Sequence, residues 1–392
     1  MKYTARGLIA GLIMICATAA QAQALETSAR AAYVYDQTTG TVLLAKDAEI
    51  PLPPASMSKL MTIYMAFEAI ADGRLSVDDI LPVSAHAASF GGSSMFLDTT
   101  DRVRVEDLLR GVIVLSGNDA SVVLAEALSP DGTEAGFGRM MTDRARQLGM
   151  TQSFFVNASG WPAAEHRMSV KDLGILSSRL ISDFPTFYPL FSETEFAFDN
   201  RVPSNSQNRN PILAMGIGAD GLKTGHTQEA GYGLVGSAMQ GNRRVIFVVT
   251  GLQTARDRAE ESERIVNWAF RQFAERDLAV AGTQIASADV WMGAAPSVGL
   301  TVAEDLRLLV PVLHDGALDA QVIFDGPLQA PVSAGQQVGE LIITLDGLPE
   351  KRVPLVTQAD VPLGGFSIRM RTAAQVLWAK YGLTSGAEPD GA

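Results

Sequence analysis

The chain has 392 residues and a formal charge of −12, with 47% apolar and 19% charged residues, enough for one large domain or two ordinary ones. The acidic balance argues against nucleic acid as a partner, because phosphate backbones are met by basic surfaces. His86, His166, His226 and His314 lie far apart without metal-ligand spacing, so no metal and no other cofactor is expected.

Residues 1–24 carry Lys2 and Arg6, an apolar stretch over 8–17, and the small-residue pattern Ala20-Gln21-Ala22 and Ala22-Gln23-Ala24. This pattern predicts a secretory signal peptide, and its apolar stretch is too short to span a bilayer. Removing it takes away two positive charges (−12 − 2 = −14) and Cys16, the single cysteine. Disulfide and thiol chemistry are therefore not expected in the exported chain. Bulky Ile15 before Cys16 argues against a lipid anchor there.

From Ala31, AAYVYDQTTGTVLLAKDA predicts an antiparallel hairpin about Gln37-Thr38-Thr39-Gly40. The stretch 51–70, PLPPASMSKLMTIYMAFEAI, follows and reads as a buried helix opened by Pro53-Pro54. Residues 83–104 read as loop, with Gly91-Gly92-Ser93-Ser94 in the middle. Helices are expected over 105–115 and 119–128, broken at Ser116-Gly117-Asn118, then over 134–148 and from Ser169 to about 182. Strands are expected between 221 and 252, and an amphipathic helix over 260–275.

This order predicts an α+β fold: an antiparallel sheet assembled from both ends of the segment 25–277 and flanked by helices. Short alternating runs over 280–364 predict a small all-β domain. The tail 366–383 has an apolar arc with Arg369, Arg371 and Lys380 around it, which fits a helix in the plane of an anionic membrane surface and equally a helix docked on its own domain.

Ser56 and Lys59 stand three apart at the start of the 51–70 helix, so the amine and the hydroxyl share a face, whereas Ser58 points about 100° away. A serine becomes a nucleophile only when a base takes its proton, and a lysine can act as that base once desolvation lowers its pKa. The same spacing also fits an N-cap serine beside a lysine that lays its stem on apolar surface. Ser116-Gly117-Asn118 fits a helix cap, and also a polar turn put to use. Lys223-Thr224-Gly225 fits a surface strand, and also a strand that turns a cation and a hydroxyl toward a ligand carboxylate.

S-x-x-K, then S-x-N, then K-T-G, in that order in an exported chain, resembles the penicillin-binding protein and serine β-lactamase superfamily. The longer strings PASMSKLMT, GGSSMFL, VLSGNDAS, DGLKTG and EAGYGLVGSA are similar to the low-molecular-mass D-alanyl-D-alanine carboxypeptidases over roughly residues 28–275. In that family a β-domain and an amphipathic anchor follow.

The resemblance implies a periplasmic serine enzyme that removes the terminal D-Ala from peptidoglycan pentapeptides through an acyl-enzyme and is acylated by β-lactams. It implies Ser56 as nucleophile, Lys59 as proton acceptor and Ser116 as relay to the leaving D-alanine. Asn118 would hold the substrate amide, Lys223 and Thr224 would meet its carboxylate or orient Ser116, Arg209 would help to read the carboxylate, and the backbone N–H groups of Ser56 and His226 would form the oxyanion hole beside Gly225. His226 departs from the threonine common at that position. A β-lactamase or D,D-endopeptidase on the same scaffold, and a non-catalytic wall-binding protein, are the alternatives. Glycine between Ser116 and Asn118 departs from the Ser-Asp-Asn of class A β-lactamases.

Overall fold

The computed structural model describes residues 25–312, 319–345 and 350–366, with Met370 and Ala374. The expected leader, 1–24, and nearly all of the expected tail helix, 366–383, lie outside the described residues. The chain divides into two compact units, Ala24–Phe273 and Ala274 onward.

In the first unit, β1 (Ala31–Asp36) and β2 (Thr41–Lys46) form the expected hairpin. The sheet is completed by β5 (Ala219–Thr227), β6 (Gly231–Gln240) and β7 (Arg243–Leu252), in the order β2-β1-β7-β6-β5. Strand β1 pairs antiparallel with β7, Ala31 opposite Thr250 and Asp36 opposite Val245, so the two ends of the segment do meet in one sheet. Central β7 is apolar without alternation, and Val245–Val249 are all fully buried, as a strand covered on both faces requires. Strand β5 is left at the edge.

Helix α1 (Lys59–Ala71) is apolar around its whole circumference and buried along most of its length, the expected fate of a helix without a polar face. Around it stand α3 (Val105–Ile113), α4 (Asn118–Leu128), α5 (Glu134–Gln147) and α6 (Val170–Asp183). Helix α6 packs on β1 and β7, and α7 (Ala255–Gln272) packs on β6 and β7. Helix α7 begins five residues before its expected start, because Thr254 and Asp257 form a reciprocal capping box. It ends at Gln272, where β8 (Phe273–Ala279) begins.

Within 83–104 the structure has more order than expected. Ala85–Ala88 form a single helical turn, α2, and the short strands β3 (Ile80–Pro82) and β4 (Arg102–Arg104) pair antiparallel. Segments of three or four residues leave no readable periodicity.

The second unit is β-rich, as its alternating runs predict. Among the described residues its six-stranded sheet runs over Ala286–Trp291, Ser297–Val302, Asp319–Phe324, Leu328–Gln329, Gln337–Thr344 and Lys351–Thr357, and β8 pairs with Leu306–Pro311. Among the described residues no helix is long and apolar enough to cross a membrane.

Candidate active site

Ser56 lies in a 3-10 turn, Ala55–Ser58, that leads into α1, rather than in the first turn of the α-helix itself. The difference tightens the pair, since residues i and i+3 eclipse in a 3-10 turn. Lys59 Nζ lies 2.8 Å from Ser56 Oγ. Ser58 is fully buried on another side, its hydroxyl without a partner among the described residues.

The Lys59 amine is fully buried, and its other partners are Asn118 Oδ1 at 2.7 Å and the Ser159 carbonyl at 2.5 Å. A neutral amine has two N–H donors and one lone pair. The two carbonyl oxygens can only accept, so they take the two N–H groups. The lone pair is then left for the one partner able to donate, the Ser56 hydroxyl.

Burial, and after it the Arg209 charge, push the Lys59 pKa down to about 7, while Asp119 and Glu134 work in the opposite direction. Burial with these neighbours thus supplies the desolvated base that serine activation needs.

Ser159 was not singled out by sequence. Its carbonyl is aimed by the turn 157–161, in which Asn157 Oδ1 accepts from the N–H groups of Ser159, Gly160 and Trp161 at 2.8–3.2 Å. Gly160 has φ +74°, and a Cβ there would stand 1.9 Å from the Ala55 carbonyl oxygen, so only glycine lets this turn lie against the turn of Ser56. The turn is tied further by Thr62 Oγ1, which donates to the Ala158 carbonyl at 2.7 Å, and by Glu134, which accepts from the Ala158 N–H at 3.0 Å. A carbonyl leaves no residue-type signature; the readable signal is an asparagine three residues before a glycine.

Ser116 and Asn118 join α3 to α4. Ser116 is buried with φ +61°, and Ala55, just before Ser56, has φ +49°. Non-glycine residues held there cost on the order of 1 kcal/mol and concentrate at functional sites. The Ser116 turn is held by Gly117 N–H to the Gly111 carbonyl at 2.9 Å and Asn118 N–H to the Ser93 carbonyl at 2.8 Å.

Asn118 turns its amide nitrogen to the Gly91 carbonyl at 2.8 Å, so it links Lys59 to the 91–97 loop besides any contact with substrate. Asp119, also missed by sequence, fixes that loop. It accepts from Ser94 Oγ at 2.6 Å and from the N–H groups of Met95 and Leu97 at 3.0 and 3.1 Å.

Lys223 reaches across from edge strand β5 to Ser116 Oγ at 2.9 Å and to the carbonyl of buried Thr224 at 3.3 Å. Gly225 lets β5 approach the turn that carries Ser56, because a Cβ there would lie 3.0 Å from the Pro54 oxygen and from Met57 Cγ. His226 is exposed and stacks on Tyr232 with ring centroids 3.9 Å apart.

Arg209 bonds Ser93 Oγ, and its charge bears on both lysines. Arg258 on α7, another residue that sequence missed, donates to the Arg209 carbonyl at 3.3 Å and lies over the Tyr232 ring; its Nε is buried without a partner among the described residues.

Burial first, then Lys59, Arg209 and Arg258, hold the Lys223 amine well below the usual lysine range. Burial lowers the Arg209 and Arg258 pKa values too. Four basic side chains, Lys59, Lys223, Arg209 and Arg258, thus converge, none in an ion pair among the described residues. An anion entering this cleft would find charge-assisted donors already oriented. Among the described residues no group of three His, Cys, Asp or Glu could hold a metal ion.

A family model described as D-alanyl-D-alanine carboxypeptidase matches residues 17–254, and one described as the C-terminal domain of penicillin-binding protein 5 matches residues 273–363. The D-alanyl-D-alanine carboxypeptidase DacD of Salmonella typhimurium is 36% identical over 345 residues, 86% of this chain and 87% of that protein. The crystal structure of penicillin-binding protein 5 from Haemophilus influenzae is similar with a TM-score of 0.74 and 33% identity, covering 86% of this chain and 98% of that one. Penicillin-binding protein D2 from Listeria monocytogenes, solved in an ampicillin-bound form, is 35% identical with a TM-score of 0.57, covering 63% of this chain and 98% of that one.

Proposed function

The chain belongs to the D-alanyl-D-alanine carboxypeptidase family of serine hydrolases, and from that membership we propose how its residues carry the reaction. The substrate is a peptidoglycan pentapeptide ending in D-Ala-D-Ala. Its terminal carboxylate is met by Lys223, Thr224, Arg209 and Arg258, and Asn118 offers its remaining amide N–H to the peptide.

Lys59 accepts the Ser56 proton as Ser56 Oγ attacks the penultimate D-Ala carbonyl carbon. The oxygen that becomes negative is stabilised by the backbone N–H groups of Ser56 and His226, brought together by the approach of Gly225 to the nucleophile turn. Ser116, hydrogen-bonded to Lys223, passes its proton to the departing D-alanine nitrogen as the C–N bond breaks and is resupplied with the proton that Lys59 took from Ser56, which returns Lys59 to the neutral amine. Lys59 then takes a proton from water as the water oxygen attacks the Ser56 ester carbonyl, and gives it to Ser56 Oγ as the ester bond breaks. A β-lactam follows the same first step, but its leaving nitrogen stays tethered within the opened molecule.

The observation that carries this reading is the buried Lys59 amine, 2.8 Å from Ser56 Oγ with both its N–H groups committed elsewhere. Incubation with a fluorescent penicillin tests it: a covalent adduct on Ser56, and D-Ala release from pentapeptide, are both expected and both lost in Ser56→Ala. An adduct or release that survives this change would refute the assignment.

We propose further that residues 1–24 export the chain to the periplasm, that residues 25–277 are the catalytic domain and 280–364 a β-domain, and that 366–383 hold the protein on the membrane surface. Fractionation of the full chain beside a chain ending at 365 tests the last point; equal partition into the soluble fraction would refute it.

A further inference from the structure

The groove along the edge of β5 continues past His226. An extended peptide can lie on that free edge as an added strand. On the hydrolase reading, its carboxylate lies by Lys223 and Thr224 and its scissile carbonyl by His226. The peptide then runs antiparallel to β5, and the residue before the D-Ala pair falls about 3.4 Å further on, level with residues 227 and 228.

A depression opens there, walled by Pro54, Gly160, Trp161, His166 and Thr227. Arg167 and Glu229 line it as well and pair with each other at 2.8 Å. His166 is almost completely buried. Its Nδ1 accepts from the Val156 N–H at 3.4 Å, which leaves the ring proton on Nε2, and Nε2 is buried without a partner among the described residues. Burial and the nearby Lys59 and Arg167 charges push the His166 pKa down to about 4, so the ring stays a neutral donor at working pH. The depression as a whole offers about 10 Å³ for the centre of a water-sized atom, room for one carboxylate oxygen.

We propose that this depression is the subsite for the residue preceding the D-Ala pair, and that it prefers a diamino acid whose side chain ends in an ammonium and a carboxylate on one carbon. The inference rests on the hydrolase reading given above. Such an end exchanges one ion pair for two without leaving a charge alone: its ammonium takes Glu229 and its carboxylate takes Arg167, with one oxygen within reach of the His166 donor. The Arg167 guanidinium is already oriented, because its Nη1 donates to the carbonyls of Ala163 and His166 at 3.1 Å each. A plain lysine ammonium would occupy Glu229 and leave Arg167 Nη2 unpaired. The exposed face of Trp161 lies where it can cover the methylene chain.

The test compares D-Ala release from two acetylated tripeptides that differ only in the first residue, lysine or diaminopimelate. Wild type is expected to favour the diaminopimelyl peptide by about tenfold in kcat/KM, the order of one charge-assisted hydrogen bond. In Arg167→Gln the ratio should fall to about one, and Arg167→Lys should retain part of it. Should the glutamine variant fail to fold, the wild-type ratio alone decides. Equal rates for the two peptides in wild type, or a ratio unmoved by Arg167→Gln, would overturn this inference alone. No release from either peptide would overturn the hydrolase reading and this inference with it.

Discussion

Asn118→Asp keeps the shape of the side chain and places a carboxylate 2.7 Å from the Lys59 amine. A negative charge there favours the ammonium and raises the lysine pKa. Coulomb's law at an effective dielectric near 20 gives roughly 6 kcal/mol at that separation, an upper figure. Shifts beside one opposite charge run to about 1–3 pH units. Starting from a pKa of about 7, where half the amine is neutral at pH 7, the form competent to accept the Ser56 proton becomes roughly five- to five-hundredfold scarcer at neutral pH. The assay is the second-order rate of Ser56 acylation by a fluorescent penicillin between pH 5 and 10. The expected result is a rising limb displaced to higher pH by one unit or more, with much of the rate regained on the alkaline side. A uniformly lower rate with the limb in its original place would refute the reasoning, because Asn118 would then act on substrate rather than on the charge of Lys59.

Two further changes probe the walls of the site. Gly160→Ala drives a Cβ to 1.9 Å from the Ala55 oxygen at φ +74°, and is expected to cost roughly 2–4 kcal/mol of stability together with most of the acylation rate; an unchanged thermal transition would contradict it. Arg258→Gln removes a cation with an unpartnered buried Nε, and is expected to lower kcat/KM for pentapeptide by roughly ten- to a hundredfold, mainly through KM; unaltered kinetics would place the substrate carboxylate elsewhere.

What could be read from sequence followed the range of the interactions. The Ser56 and Lys59 pairing is local, three residues within one turn, so spacing alone brought the side chains together. The meeting of Ser116 with Lys223 is a long-range event, made when β5 is laid at the edge of a sheet whose far side is the β1–β2 hairpin. No spacing rule contains it, and it became legible only through the likeness of three ordered motifs to a known family. The Ser159 carbonyl is backbone and carries no residue-type signal. Arg258 was within reach: Thr254-Ala255-Arg256-Asp257 is a capping-box pattern that starts α7 at Ala255 and brings Arg258 into its first turn. Reading the helix from Glu260 left that residue outside. Asn118 was expected to hold substrate, and its buried position between Lys59 and Gly91 gives it a second task that depends on which loops pack together.

The charge of one amine decides the mechanism, and NMR observes it directly. In protein labelled with 13C at lysine Cε, the Lys59 resonance is identified by its loss in Lys59→Arg and followed from pH 5 to 11. A midpoint near 7 is expected, with the acylation rate rising through the same pH. A Lys59 signal that stays in its ammonium position up to pH 10 would contradict general-base activation of Ser56 by this residue.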